Sequence, residues 1–108
     1  MGWIGVDLDG TLAEYGGWQG AQHIGAPIPQ MVERVKAWVR EGREVRIFTA
    51  RVSQGNLDAY ADIREWCVRH IGVALPITAM KDYGMIELWD DRAVQVIPNT
   101  GQRADGRV

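Results

Sequence analysis

Apolar positions change their period along the chain, and each change marks an element. Trp3-Ile4-Gly5-Val6, running on into Asp7, is an unbroken apolar run of the kind that forms a short buried strand. Between Gly10 and Pro27 periodicity disappears, and Gly10, Gly16, Gly17, Gly20 and Gly25 punctuate the stretch. It is too long for a tight turn and too irregular for a helix, and loops of this length in small domains are usually functional. Pro29 suits the first turn of a helix, where its missing N–H would be unpaired anyway. Val32, Val35, Trp38 and Val39 then recur at helical spacing until Gly42. Val45–Thr49 predicts a second strand, followed by a loop from Ala50 to Gly55. Asn56 caps a second predicted helix, with Leu57, Tyr60, Ile63, Cys67 and Ile71 on its buried face and Gly72 as its stop. Three more strands are predicted at Leu75–Thr78 (despite Pro76), Met85–Asp90 and Val94–Ile97. The polar, Gly-rich end divides the chain into one domain, 1–98, and a frayed tail, 99–108.

Composition narrows the class without changing this outline. A chain of 108 residues with 46% hydrophobic and 24% charged residues suits one soluble globular domain. A formal net charge of -2 supplies no bulk attraction to nucleic acid or to a membrane surface. One cysteine, Cys67, excludes an intramolecular disulfide framework and a Cys-based zinc site, and reads as a core residue. No segment approaches the roughly 20 apolar residues of a membrane span, and no basic leader precedes Trp3. A cytoplasmic protein with no membrane partner is expected.

Strands alternating with helices predict an α/β fold with a mainly parallel sheet, whose ligands bind beyond the carboxyl ends of the strands. Asp7 and Asp9 follow strand one, Thr49 and Arg51 follow strand two, Lys81 follows strand three, and Asp90 and Asp91 follow strand four. Carboxylates crowded at one edge repel one another, and a hard divalent cation relieves that repulsion. Mg2+ suits a set of a few carboxylates with places left for water and a phosphate oxygen. Threonine and lysine can hold the remaining phosphate oxygens. The chemistry this favours is phosphoryl transfer to an aspartate. An EF-hand is excluded, because Gly10 is fourth in the loop and Trp18 occupies the twelfth position. A P-loop is excluded because no Lys-Ser/Thr follows Gly16-Gly17-Trp18-Gln19-Gly20. A response-regulator receiver would place its acidic pair after strand one and its acceptor aspartate after strand three, which is not the order here.

Asp7-Leu8-Asp9-Gly10-Thr11, the apolar strand ending in Thr49, Lys81, and Leu88-Trp89-Asp90-Asp91 occur in that order. Together they resemble the four motifs of the haloacid dehalogenase superfamily. The resemblance implies a Rossmannoid three-layer sandwich with a mainly parallel five-stranded sheet. It makes Asp7 the nucleophile and Asp9 the general acid and base, with Thr49 and Lys81 on the phosphate. Asp7, the backbone carbonyl of Asp9 and Asp90 would ligate Mg2+, with Asp91 acting through water. Gly10 would bring backbone N–H groups to the phosphate beside Thr11, and Arg51 would contact substrate. The intervals leave no room for a cap domain, so the site stays open unless the Tyr15–His23 flap or a second copy in a homo-oligomer covers it. Tyr15 and Trp18 are candidates for stacking on a base or sugar, or for folding the loop. The implied activity is a Mg2+-dependent phosphomonoester phosphatase. Its substrate would be a phosphorylated small molecule or a nucleic-acid end. A phosphotransferase, and a module that binds a phosphorylated ligand or protein without turnover, are the alternatives.

Overall fold

Residues 2–108 are described by a computed structural model. Its elements are β1 (Trp3–Val6), α1 (Pro29–Arg40), β2 (Glu44–Phe48), a 3-10 turn (Ala50–Val52), α2 (Leu57–His70), β3 (Ile77–Thr78) and β4 (Met85–Trp89). The four strands form one parallel sheet in the order β3-β2-β1-β4. Both helices start where the sequence places them. Pro29 opens α1, and Asn56 Oδ1 accepts hydrogen bonds from the backbone N–H groups of Asp58 and Ala59 to open α2. Gly72, at φ +101°, takes the chain out of α2 in a conformation that side chains disfavour. No helix among the described residues is long and apolar enough to cross a membrane.

The steps β1 to β2 and β2 to β3 run in the same direction across the sheet. Right-handed crossovers therefore put both helices on one face. Ile4, Val6, Val45 and Ile47 meet Val32, Val35 and Trp38 of α1 and Ile63, Trp66 and Cys67 of α2 in a single buried cluster. Cys67 belongs to it as expected, and burial pushes its thiol up to about 11, which leaves it protonated at neutral pH. Trp89 packs edge-on against Trp38, with ring centroids 5.2 Å apart, and so ties β4 to α1.

Among the described residues the other face carries no helix, so the three-layer sandwich gives way to two layers and a strap. Residues 79–84 carry the chain from β3 at one edge back to β4 at the other, too few for a helix with its connections. The strap is fastened to β1: Trp3 Nε1 donates to Asp82 Oδ1 at 2.8 Å, and the Trp3 backbone N–H donates to the Gly84 carbonyl at 2.8 Å. Arg46 lies 4.4 Å over the Trp3 ring and pairs with Asp82 at 3.6 Å.

Four further expectations are corrected. The sheet has four strands, not five: Val94–Ile97 stays outside it, where Val96 forms an antiparallel bridge with Arg103. The segment 99–108 is accordingly no loose tail, since Ile97 N–H donates to the Gln102 carbonyl and Ala104 N–H to the Gln95 carbonyl. Alternating apolar residues there satisfy a local hairpin rather than a sheet edge. Leu57 is 80% exposed, because the first residue of α2 points away from the core. β3 shrinks to Ile77–Thr78, although the Pro76 carbonyl still accepts a bond from Ile47 N–H.

Candidate active site

Register builds the site. Val6 pairs with Trp89, and Asp7 N–H donates to the Trp89 carbonyl at 2.9 Å, the last bond of the ladder. Asp7 and Asp90 therefore leave neighbouring strands at the same level. One carboxylate oxygen each of Asp7, Asp90 and Asp91 lies within 4.8 Å of the others. Burial, then a hydrogen bond to Asp91, then the charges of Asp90 and Asp91 push the half-buried Asp7 carboxyl up to about 7; a bond from the Leu8 backbone opposes them. Such a cluster holds oxygen donors and uncompensated repulsion together, which is the donor chemistry a hard divalent cation fits.

The turn after β1 is held from beneath. Leu8, Leu12 and Ala13 are fully buried, and the Leu8 carbonyl accepts from the N–H groups of Leu12 and Ala13. Gly10 sits at φ +91°, and a Cβ there would come within 2.5 Å of Asp91 Oδ2. Thr11 Oγ1 donates to Asp91 Oδ1 at 3.1 Å and accepts from Asp91 N–H at 3.0 Å, fixing the second acid of the pair. Arg92 N–H donates to Asp90 Oδ1 at 2.7 Å and fixes the first.

Asp9 turns toward β2, where Arg51 meets it. Arg51 Nε and Nη2 donate to the two Asp9 oxygens, each at 2.8 Å, in a forked pair. The same guanidinium donates to the carbonyls of Ala21 at 3.0 Å and His23 at 2.8 Å, and lies 5.2 Å from the Trp18 ring. Arg51 thus ties the flap to Asp9. From the sequence it is expected only to contact substrate; its pairing with Asp9 joins two loops that no local pattern links. The base of the flap is closed by Glu14 N–H on the Ala26 carbonyl and by Trp66 Nε1 on the Gly25 carbonyl. Buried Thr49 accepts the Arg51 backbone N–H on its hydroxyl at 3.2 Å.

These side chains surround a cleft of about 800 Å³ lined by Asp7, Asp9, Thr49, Asp90 and Asp91, with Tyr15 and Trp18 from the flap. Arg92, absent from the predicted site, lines it too. Lys81 does not. It lies on the strap beside Asp82, Tyr83 and Met85, because the short connection turns back over the open face of the sheet immediately after β3. Gly10 and Thr11 lie on the outer side of the acidic pair, lining a smaller hollow of about 310 Å³ with Asp90 and Asp91. A broader groove of about 980 Å³, lined by Leu57, Tyr60 and Val68 among others, shares no residue with the cleft and holds no acidic cluster.

Neither a comparison with protein-family models nor one with curated proteins finds a match for this chain. Among solved structures, a conserved protein from Bacteroides thetaiotaomicron is similar, with 25% identity and a TM-score of 0.63. The similarity covers 91% of this chain and 82% of that one. It supports the α/β architecture over nearly the whole chain, and the description of that protein names no activity.

Proposed function

We propose that this chain is a Mg2+-dependent phosphomonoester phosphatase of the haloacid dehalogenase type, working through an aspartyl-phosphate on Asp7. One observation carries the reading: three carboxylates converge within 4.8 Å beyond two adjacent parallel strands, with Asp9 facing the same cleft. Asp7, the Asp9 backbone carbonyl and Asp90 would hold Mg2+, with Asp91 reached through water. Bound there, the cation supplies charge neutralisation between carboxylates and an anionic phosphate.

The residues then divide the work. An Asp7 carboxylate oxygen attacks phosphorus, and the bond from phosphorus to the ester oxygen breaks. Asp9 gives its proton to the departing alkoxide. Asp9 next takes a proton from water, whose oxygen attacks phosphorus and releases inorganic phosphate and the Asp7 carboxylate. Arg51 is a positioning residue, tying Asp9 to the flap. Thr49 contributes a hydroxyl to the phosphate. With Lys81 on the strap, the cations nearest the phosphate are Arg51 and Arg92, which line the cleft.

Phosphate release from a panel of phosphomonoesters tests the reading, first with Mg2+ and then with EDTA. Release that needs Mg2+ and vanishes in Asp7→Asn is the expected result. A folded, Mg2+-binding protein that hydrolyses nothing on the panel overturns it.

A further inference from the structure

The cleft is far larger than a phosphate group needs, and its outer wall is aromatic. Trp18 is 62% exposed, yet it is not a loose side chain. One face of its indole rests on the Arg51 guanidinium, and Arg51 is itself fixed by four hydrogen bonds, two to Asp9 and two to flap carbonyls. A large apolar ring set against a fixed guanidinium, with its other side open to solvent, offers a surface for a second flat group to stack on. The Arg51 guanidinium contacts both this ring and Asp9, the residue assigned to the leaving-group oxygen. Tyr15, half exposed, belongs to the same wall. The rest of the lining is mixed: Phe48, Ala50 and Ala59 give it apolar surface, and Ser53, Gln54 and Arg92 offer donors and acceptors. A flat ring with hydrogen-bonding edges matches that mixture, using its face and its rim together.

We infer that the leaving group carries a planar nitrogen heterocycle of the nucleobase type, stacked on Trp18. This rests on the phosphatase reading and names its substrate class: a nucleoside monophosphate unit. The source favoured is a free mononucleotide. Among the described residues lining the cleft the cations are Arg51 and Arg92, facing four aspartates, and a net charge of -2 adds no bulk attraction for a polynucleotide backbone.

Binding to the Asp7→Asn variant with Mg2+ present, followed by calorimetry, tests this without turnover. The probes are adenosine 5′-monophosphate and ribose 5-phosphate, which share phosphate and sugar and differ in the ring. The mononucleotide is expected to bind roughly tenfold more tightly, in line with one base stacked on an aromatic side chain. Trp18→Ala in the same background should abolish the difference, and Trp18→Phe should retain part of it. Equal affinities, or a ring preference that survives Trp18→Ala, overturn the inference. If the wild type also hydrolyses ribose 5-phosphate, the phosphatase reading stands without it. Failure of both esters to bind overturns both. A 5′-phosphorylated oligonucleotide separates the sources: tighter binding than the mononucleotide, with a steep salt dependence, assigns the ring to a strand end and overturns the free-nucleotide choice.

Discussion

Two assemblies of tryptophan, arginine and aspartate stand at opposite sides of this molecule, and they are built inside out relative to each other. At the strap, Trp3 is 1% exposed, while the carboxylate on its indole N–H, Asp82, has a side chain 57% exposed. At the flap, Trp18 is the exposed member, and the Arg51 and Asp9 side chains are 7% and 21% exposed. In the first, polar groups cover an indole and a piece of core is finished. In the second, an indole covers a charged pair, and apolar surface faces water with no folding benefit. The same three residue types therefore serve stability where the ring is sheltered and point to chemistry where the charges are.

The widest contrast lies between Asp7 and Trp3. Asp7→Asn should lower phosphate release by roughly a thousandfold or more with the fold intact, as removal of a nucleophile does. Trp3→Ala should cost about 3–5 kcal/mol of stability, read from denaturant melts, while activity per folded molecule holds. A Trp3 variant with normal stability would erase the comparison. Trp18→Ala sharpens it from the other side: its stability change should stay within about 0.5 kcal/mol. Next come the arginines. Arg51→Lys keeps the charge but loses the fork, so kcat should fall about tenfold, by analogy with a misplaced catalytic group. Hydrogen exchange at residues 14–25 should speed up with it. Arg46→Lys should leave both unchanged, and equal effects from the two would show that the flap arginine has no special place.

A pH slope tests the acidic cluster itself. The folded Asp7 carboxyl titrates near 7, against 3.8 for an unperturbed one. Between those values the folded state binds more protons than the unfolded chain, so stability falls as pH rises through the window. With EDTA, Tm should be lower at pH 8 than at pH 5 for the wild type, and the drop should shrink in Asp7→Asn. Mg2+ should recover most of it at pH 8. A Tm that rises across the window in the wild type but not in the variant contradicts the assignment.

Much of the cleft was legible because strand ends are legible. Asp7, Thr49 and Asp90 each follow an apolar run by one residue, and a parallel sheet gathers such residues at one edge. Lys81 was misplaced for the same reason: order along the chain says that it follows β3, and nothing in it says that the next residues double back across the sheet. The predicted fifth strand failed because alternation in Val94–Ile97 cannot distinguish a sheet partner from a hairpin partner at Arg103. The forked pair between Arg51 and Asp9 depends on two loops meeting in space, which no local pattern encodes.

The strap also acts as a ruler. Its anchors on Trp3 set where β4 begins, and a one-residue shift in the pairing between Trp3 and Ile4 then brings Trp89 level with Val6. Removing one strap residue would slide β4 by about 3.3 Å and turn its side chains to the opposite faces. Asp90 would then leave the cleft although every candidate site residue remained in the sequence. Changes of length at the tip of the flap, where Gly16, Gly17 and Gly20 have open space around them, are tolerable for the fold although they would move Trp18. Along residues 79–84 they are not, and in this small enzyme candidate the count of residues on the far side of the sheet governs the spacing of its acids.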